Sequence, residues 1–188
     1  MRVLPGVLAG TIVFEPVLHP DECGWTTRTL DAEVIQAAGL DPRSLVQEYQ
    51  SRSSRGMVRG LHVRTDGGEG RLVRCASGAV VDVSVDLRPT SPTYRSWMTV
   101  VLDDADHRSV WLPPGLAHGH QALSTLADVC CRVNRVHQPE YEVAIKYDDP
   151  ELAIPWPLRV TGLARRDRDA LPLAVVEPML SDWFGAVR

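Results

Sequence analysis

The residues of this chain that invite chemistry crowd into one stretch, Ser51-Arg52-Ser53-Ser54-Arg55-Gly56-Met57-Val58-Arg59-Gly60-Leu61-His62. Hydroxyls and arginines lead into a short apolar strand that ends on a histidine. Arginine suits a phosphate because its planar fork donates two parallel hydrogen bonds to such an anion. A strand also holds side chains more rigidly than a loop does. A histidine beside such a clamp is a candidate proton acceptor, since its ordinary pKa lies near neutrality. Taken alone, the stretch also fits a solvated basic edge.

These residues need a frame, and strand patterns dominate the chain. Val80 to Asp86 puts Val81, Val83 and Val85 on one face and Asp82, Ser84 and Asp86 on the other. Met98 to Leu102, Ser109 to Leu112, Gln121 to Leu123 and Val129 to Val136 read as further strands. Gly67-Gly68, Ser77-Gly78 and Pro113-Pro114-Gly115 punctuate them as turns. Short strands at regular spacing predict an all-β sandwich or barrel. Helices are expected near Asp31 to Ala38 and Val176 to Phe184. The polar face of Asp82, Ser84 and Asp86 fits either solvent or a cavity wall, where its carboxylates would back up site residues.

Composition narrows the function. With 188 residues, 44% of them hydrophobic, the chain is expected to fold as one domain over residues 1–188. A net charge of −4 and a pI near 5.8 exclude the basic field that nucleic acid requires, so the arginines suit a small anion. Cys23, Cys75, Cys130 and Cys131 lack metal spacing and read as reduced thiols of a cytoplasmic protein. Met1 to Phe14, broken by Pro5 and Gly6, is neither a signal peptide nor a membrane span. His118 and His120 share a strand face and Glu69 is a tempting third ligand, yet a metal centre needs three or four converging donors. No metal or cofactor is expected.

The segment around His62 resembles the signature of the dTDP-4-dehydrorhamnose 3,5-epimerase family. Four further stretches resemble that family in the same order. They are Arg71-Leu72-Val73-Arg74 with Gly78, Asp82 to Arg88 with Ser91-Pro92-Thr93, Trp111 to Gly119, and Tyr147-Asp148-Asp149-Pro150 with Ile154-Pro155-Trp156-Pro157. The resemblance runs from about Phe14 to about Pro172. It implies a jelly-roll cupin barrel with short C-terminal helices, a nucleotide-linked 4-keto-6-deoxyhexose as substrate, and a homodimer formed by strand exchange near Thr11 to Phe14. Epimerisation next to the ketone needs a base on one face, stabilisation of the enolate, and an acid on the other face. The resemblance maps the base to His62, its orienting carboxylate to Asp167 and the enolate-stabilising cation to Arg71 in place of a lysine. It maps substrate contacts to Gln47, Arg59, His118, His137, Glu142 and Arg166.

The chain also departs from the family. The tyrosine acid falls on Cys131, an asparagine on Tyr49, a thymine-stacking tyrosine on His137, and Asp-Glu-Arg-Gly reads Asp21-Glu22-Cys23-Gly24, followed by Arg28 in place of a glutamate. A thiol near pKa 8.5 is nominally more acidic than a phenol near 10. It is also shorter, and a miss of about 1 Å costs on the order of a hundredfold unless a water bridges the gap. Three functions fit: an epimerase of a dTDP-linked keto sugar, a relative recruited to cyclisation or dehydration of a non-nucleotide substrate, or a non-catalytic binding protein.

Overall fold

Alternating side chains and glycine-rich turns fold this chain into antiparallel strands. The computed structural model describes residues 1–184, with side chains to residue 180. In chain order come β1 (Arg2–Pro5), β2 (Ile12–Glu15), β3 (His19–Asp21), β4 (Gly24–Thr26) and the helix α1 (Ala32–Ala37). Then follow β5 (Gln47–Ser54), β6 (Met57–Arg64), β7 (Arg71–Ser77), β8 (Ala79–Asp86) and β9 (Trp97–Asp103). The last strands are β10 (Ser109–Leu112), β11 (Leu116–Ala122), β12 (Leu126–Val133), β13 (Glu142–Ala144) and β14 (Gly162–Leu163). Helices α2 (Arg165–Arg168) and α3 (Leu173–Phe184) close the described chain.

One sheet has the order β1-β2-β10-β7-β12-β5 and the facing sheet β13-β6-β11-β8-β9, with β14 running parallel to β6. The sheets pack as a jelly roll whose barrel stays open. At one end Val73, Val110 and Val129 of the first sheet meet Val80, Met98 and Leu102 of the second. The outer face of the first sheet is covered by α1, where Ile35 packs on Phe14, Leu72 and Trp111. The outer face of the second is covered by the C-terminal segment, where Leu152, Leu173 and Val176 pack on Val83 and Val85.

That cover settles the face of β8. Its valines lie under the C-terminal segment, so Asp82, Ser84 and Asp86 point between the sheets and are buried. Asp86 fastens a loop, accepting from Arg88, Ser91 and Thr93. Asp82 faces the open end.

Several boundaries move. The strand expected over Val129 to Val136 runs Leu126–Val133. It stops where the Asn134 side chain accepts the Gly70 N–H at 2.7 Å and turns the backbone. The strand expected to begin at Gln121 begins at Leu116, directly after the Pro-Pro-Gly turn. α1 starts at its Asp31 cap, which accepts from the Glu33 and Val34 N–H groups. The segment expected to exchange between subunits is an inner strand here: β2 pairs with β1 on one side and β10 on the other. Within this sheet the outermost strand at that end is β1.

β6 and β11 approach unusually closely where their register shifts. Gly60 has φ of +121°, and a Cβ built there would lie 2.5 Å from the Gly119 Cα and 2.7 Å from the His118 carbonyl oxygen. A side chain therefore meets both left-handed backbone strain and hard backbone atoms. Gly60→Ala should cost about 2–4 kcal/mol, read as a lower urea midpoint at unchanged slope. An unchanged midpoint would show that the two strands are not in this contact.

Candidate active site

The open end of the roll holds a cavity of 420 Å³ between the two sheets. Strand alternation decides which side chains reach it. On β5, Gln47, Tyr49 and Ser51 point in. Their neighbours point out, Glu48 to Arg132 and Arg52 to Asp128 at 2.7 Å. The phosphate clamp expected from Arg52, Arg55 and Arg59 is thus corrected, because period two puts Arg52 outside and, of these three arginines, Arg59 alone lines the cavity. Arg59 is steadied by the Ser53 hydroxyl at 3.0 Å.

All ten residues marked out by the sequence line this one cavity: Gln47, Arg59, His62, Arg71, His118, Cys131, His137, Glu142, Arg166 and Asp167. His62 points in from β6. Its Nε2 lies 2.6 Å from the Asp167 carboxylate, and Arg166 approaches its Nδ1 at 3.0 Å. The tautomer follows from the partners. A guanidinium only donates and a carboxylate only accepts, so Nε2 carries the proton and Nδ1 the lone pair. Burial holds the His62 pKa below the usual histidine value; the Asp167 hydrogen bond pulls it up and the Arg166 charge pulls it down. The imidazole is therefore neutral at pH 7, with one nitrogen free to take a proton once Arg166 moves aside.

Beside it lies a second buried cluster. Arg71 is 3% exposed and bonds Glu69 at 2.9 Å, while Glu69 also faces the buried Arg64 at 3.5 Å. Glu69 is thus committed to arginines. Among the described residues no three His, Cys, Asp or Glu side chains converge to hold a metal ion. His118 joins Asp82 at 2.6 Å through Nε2 and turns Nδ1 toward Arg71, 3.5 Å away. Asp82 therefore orients a site histidine, a role its polar strand face hinted at. Sequence reasoning weighed His120 only as a ligand. It lines the cavity, and burial pushes its pKa down to about 3, so it is neutral.

The mouth is more open. Glu142 takes a hydrogen bond from Arg166 and lies 3.7 Å from His137, whose backbone N–H donates to Gln47 at 2.8 Å. Two further wall residues meet across strands: Tyr49 on β5 is the register partner of Cys131 on β12. Cys131 is recessed, only 1% exposed, and burial pushes its thiol up to about 12.

Fold and site together define a jelly-roll enzyme of acid–base chemistry, with a histidine–carboxylate pair and buried cations around a ligand-sized cavity. Residues 6–174 match the family model described as dTDP-4-dehydrorhamnose 3,5-epimerase. The dTDP-4-dehydrorhamnose 3,5-epimerase of Methanothermobacter thermautotrophicus is 38% identical, covering 92% of this chain and 94% of that protein. The dTDP-4-dehydrorhamnose 3-epimerase of Streptomyces niveus is 45% identical, over 93% and 84%. The crystal structure of the Legionella pneumophila dTDP-6-deoxy-D-glucose-3,5-epimerase with dTDP-4-keto-L-rhamnose superposes with a TM-score of 0.89 at 35% identity, covering 95% and 96%. The chain belongs to the dTDP-4-dehydrorhamnose 3,5-epimerase family.

The environment of His62 makes a signed prediction. Its imidazole should titrate below pH 6.5 by NMR, because burial dominates. Asp167→Asn removes the partner that raises the value and should move the midpoint lower. Arg166→Gln removes a repelling charge and should move it higher. A wild-type midpoint above 6.5 contradicts this environment.

Proposed function

We propose that this chain, acting as one domain, is an epimerase of a dTDP-linked 4-keto-6-deoxyhexose in deoxysugar biosynthesis, inverting a carbon next to the C4 ketone. The observation that carries the reading is the His62–Asp167 pair facing a cavity beside the buried Arg71. His62 Nδ1 takes the proton from the carbon next to the ketone, and the C–H electrons pass through the new C=C bond onto the ketone oxygen. Asp167 steadies the imidazolium that forms. Arg71 neutralises the enolate oxygen. As an arginine it keeps its charge through burial, where a lysine's ammonium loses its proton more readily.

Arg59, Arg166, Gln47, His118, His137 and Glu142 bind the nucleotide sugar. The Arg166 guanidinium that caps Nδ1 is half-exposed, within reach of a substrate anion. A substrate diphosphate draws it away from His62 and thereby uncovers the base. Cys131 stands where the family keeps its acid.

The enzyme works in the cytoplasm, a compartment that suits its four free cysteines. No helix of the described residues is long and apolar enough to cross a membrane. It works as a homodimer, and β1 is the strand through which a second copy extends the first sheet, with Val3 and Val7 exposed beside that edge.

His62→Ala should abolish solvent-deuterium exchange into the keto sugar, while Asp167→Asn should keep a small residual rate. Addition of dTDP should raise the melting temperature through its binding to the native state. Full exchange in His62→Ala rejects the base assignment. No response to dTDP together with no exchange rejects the epimerase reading in favour of recruited chemistry.

Sedimentation at micromolar concentration should give the dimer, and Val3→Asp on β1 should shift it toward monomer. A wild-type monomer rejects the proposed assembly.

A further inference from the structure

The family's acid position holds a recessed thiol, yet a phenol stands one strand away. Tyr49 on β5 and Cys131 on β12 are direct register partners, and both side chains line the cavity. Side chains directly opposite on neighbouring strands have Cβ atoms only about 4.5–5.5 Å apart. A phenol moved across the ladder by that distance, with its own length of ring, can return its hydroxyl to the place a tyrosine at the partner position would fill. The two departures from the family pattern, an asparagine position occupied by tyrosine and a tyrosine position occupied by cysteine, are therefore on facing residues of one rung.

We propose that Tyr49, reaching in from β5, is the proton donor of this enzyme, and that Cys131 is the small neighbour that makes room for its ring. The proposal rests on the epimerase reading above.

Three features of the wall support it. Tyr49 and His62 line the same cavity from facing sheets, so a sugar ring between them presents opposite faces to base and acid. Tyr49 is 46% exposed at the cavity wall, whereas Cys131 is 1% exposed, so the phenol ring stands further into the cavity than the recessed thiol. The Tyr49 hydroxyl feels the Arg71 charge and the neighbouring Cys131 thiol. Burial raises the phenol's pKa, with the neighbouring thiol adding to the rise and Arg71 opposing it, so the hydroxyl keeps its proton throughout the neutral range.

The enolate, held at its oxygen by Arg71, re-forms the C4 carbonyl. The C=C electrons take the Tyr49 proton at carbon, on the face opposite His62, as the phenolic O–H bond breaks. The resulting phenolate lies beside the Arg71 guanidinium, which offsets its charge until solvent returns a proton. His62 gives up the abstracted proton to solvent, and the enzyme is reset.

The test follows a dTDP-linked 4-keto-6-deoxyhexose in deuterium oxide, measuring exchange and net inversion separately for each variant. Tyr49→Phe should keep exchange near the wild-type rate and lose net inversion by at least about a hundredfold, the usual contribution of a positioned acid. Cys131→Ala should lose far less inversion than Tyr49→Phe. The double variant Tyr49→Asn with Cys131→Tyr, which moves the phenol back across the rung, should recover inversion and covers the case in which Tyr49→Phe folds poorly. Inversion at the wild-type rate in Tyr49→Phe overturns the proposal. So does the reverse order, with Cys131→Ala losing more, which makes the thiol the acid. Joint loss of exchange and inversion in Tyr49→Phe at unchanged melting temperature also overturns it and makes Tyr49 a binding residue. A wild type with neither exchange nor inversion removes the epimerase reading itself, a result distinguishable from all of these.

Discussion

A hydrogen bond between residues 105 apart in sequence, His62 to Asp167 at 2.6 Å, is the constraint on which the site depends. Burial lowers the proton affinity of this imidazole, and the carboxylate restores part of it while fixing the ring's orientation. Delivering that carboxylate takes the whole C-terminal third. Leu152, Leu173 and Val176 anchor the segment to the outside of the second sheet. β14 then pairs in parallel with β6, Gly162 to Met57 and Leu163 to Val58, at the same 105-residue offset. α2 follows at once, so Asp167 arrives level with His62. The cover over β8 and the geometry of the base are thus one device. Burying the valines of β8 under the C-terminal segment is also what forces Asp82 inward to His118.

The polar groups at and behind the cavity wall are costly to bury. Asp82 Oδ1, Ser84 Oγ, His120 Nε2 and Asp167 Oδ2 are buried without a partner among the described groups of the protein. Each such atom costs about 1–3 kcal/mol where neither water nor substrate reaches it. Stability comes from elsewhere: the apolar end of the same inter-sheet space, and the two outer clusters. The jelly roll therefore divides its interior along the strands. On β8 a single inward face begins with Val80 in the apolar core, then turns polar at Asp82. The strand that locks the sheets together also orients a site histidine.

Much of this was legible from local pattern. Period two on β8 gave two faces, and the helix expected near Asp31 to Ala38 forms as α1. What failed to show was anything that depends on register between distant strands. The outward turn of Arg52 follows from alternation once Gln47 is known to face in, but nothing local says which set of β5 faces the cavity. The Asp82–His118 and Arg71–His118 contacts depend on a fold that brings β8, β11 and β7 together. The Thr11 to Phe14 segment has the composition of an exchanging strand, and β-branched residues suit an inner strand equally well. Its partners within the chain are a matter of topology, which composition does not carry.

The same blindness bears on how departures from a family pattern are read. Along the sequence, Tyr49 and Cys131 are two unrelated losses, a nucleotide contact and an acid. On the ladder they are one rung. A functional group on a strand is specified by the point it reaches, and residues facing each other across a pair reach nearly the same point. The rung also explains why the exchange runs in this direction. β5 is an edge strand that pairs only with β12 in its sheet, so a large ring there borders the cavity mouth and stays half-exposed. β12 lies between β5 and β7, and its residue 131 packs into the inter-sheet core with Val73 and Val129. A small apolar thiol there packs with that core and leaves the cavity wall recessed, while a phenol at the same position has to pack against the core and project into the cavity at once. Placing the ring on the edge strand separates packing from proton delivery, which a tyrosine on the inner strand has to perform together.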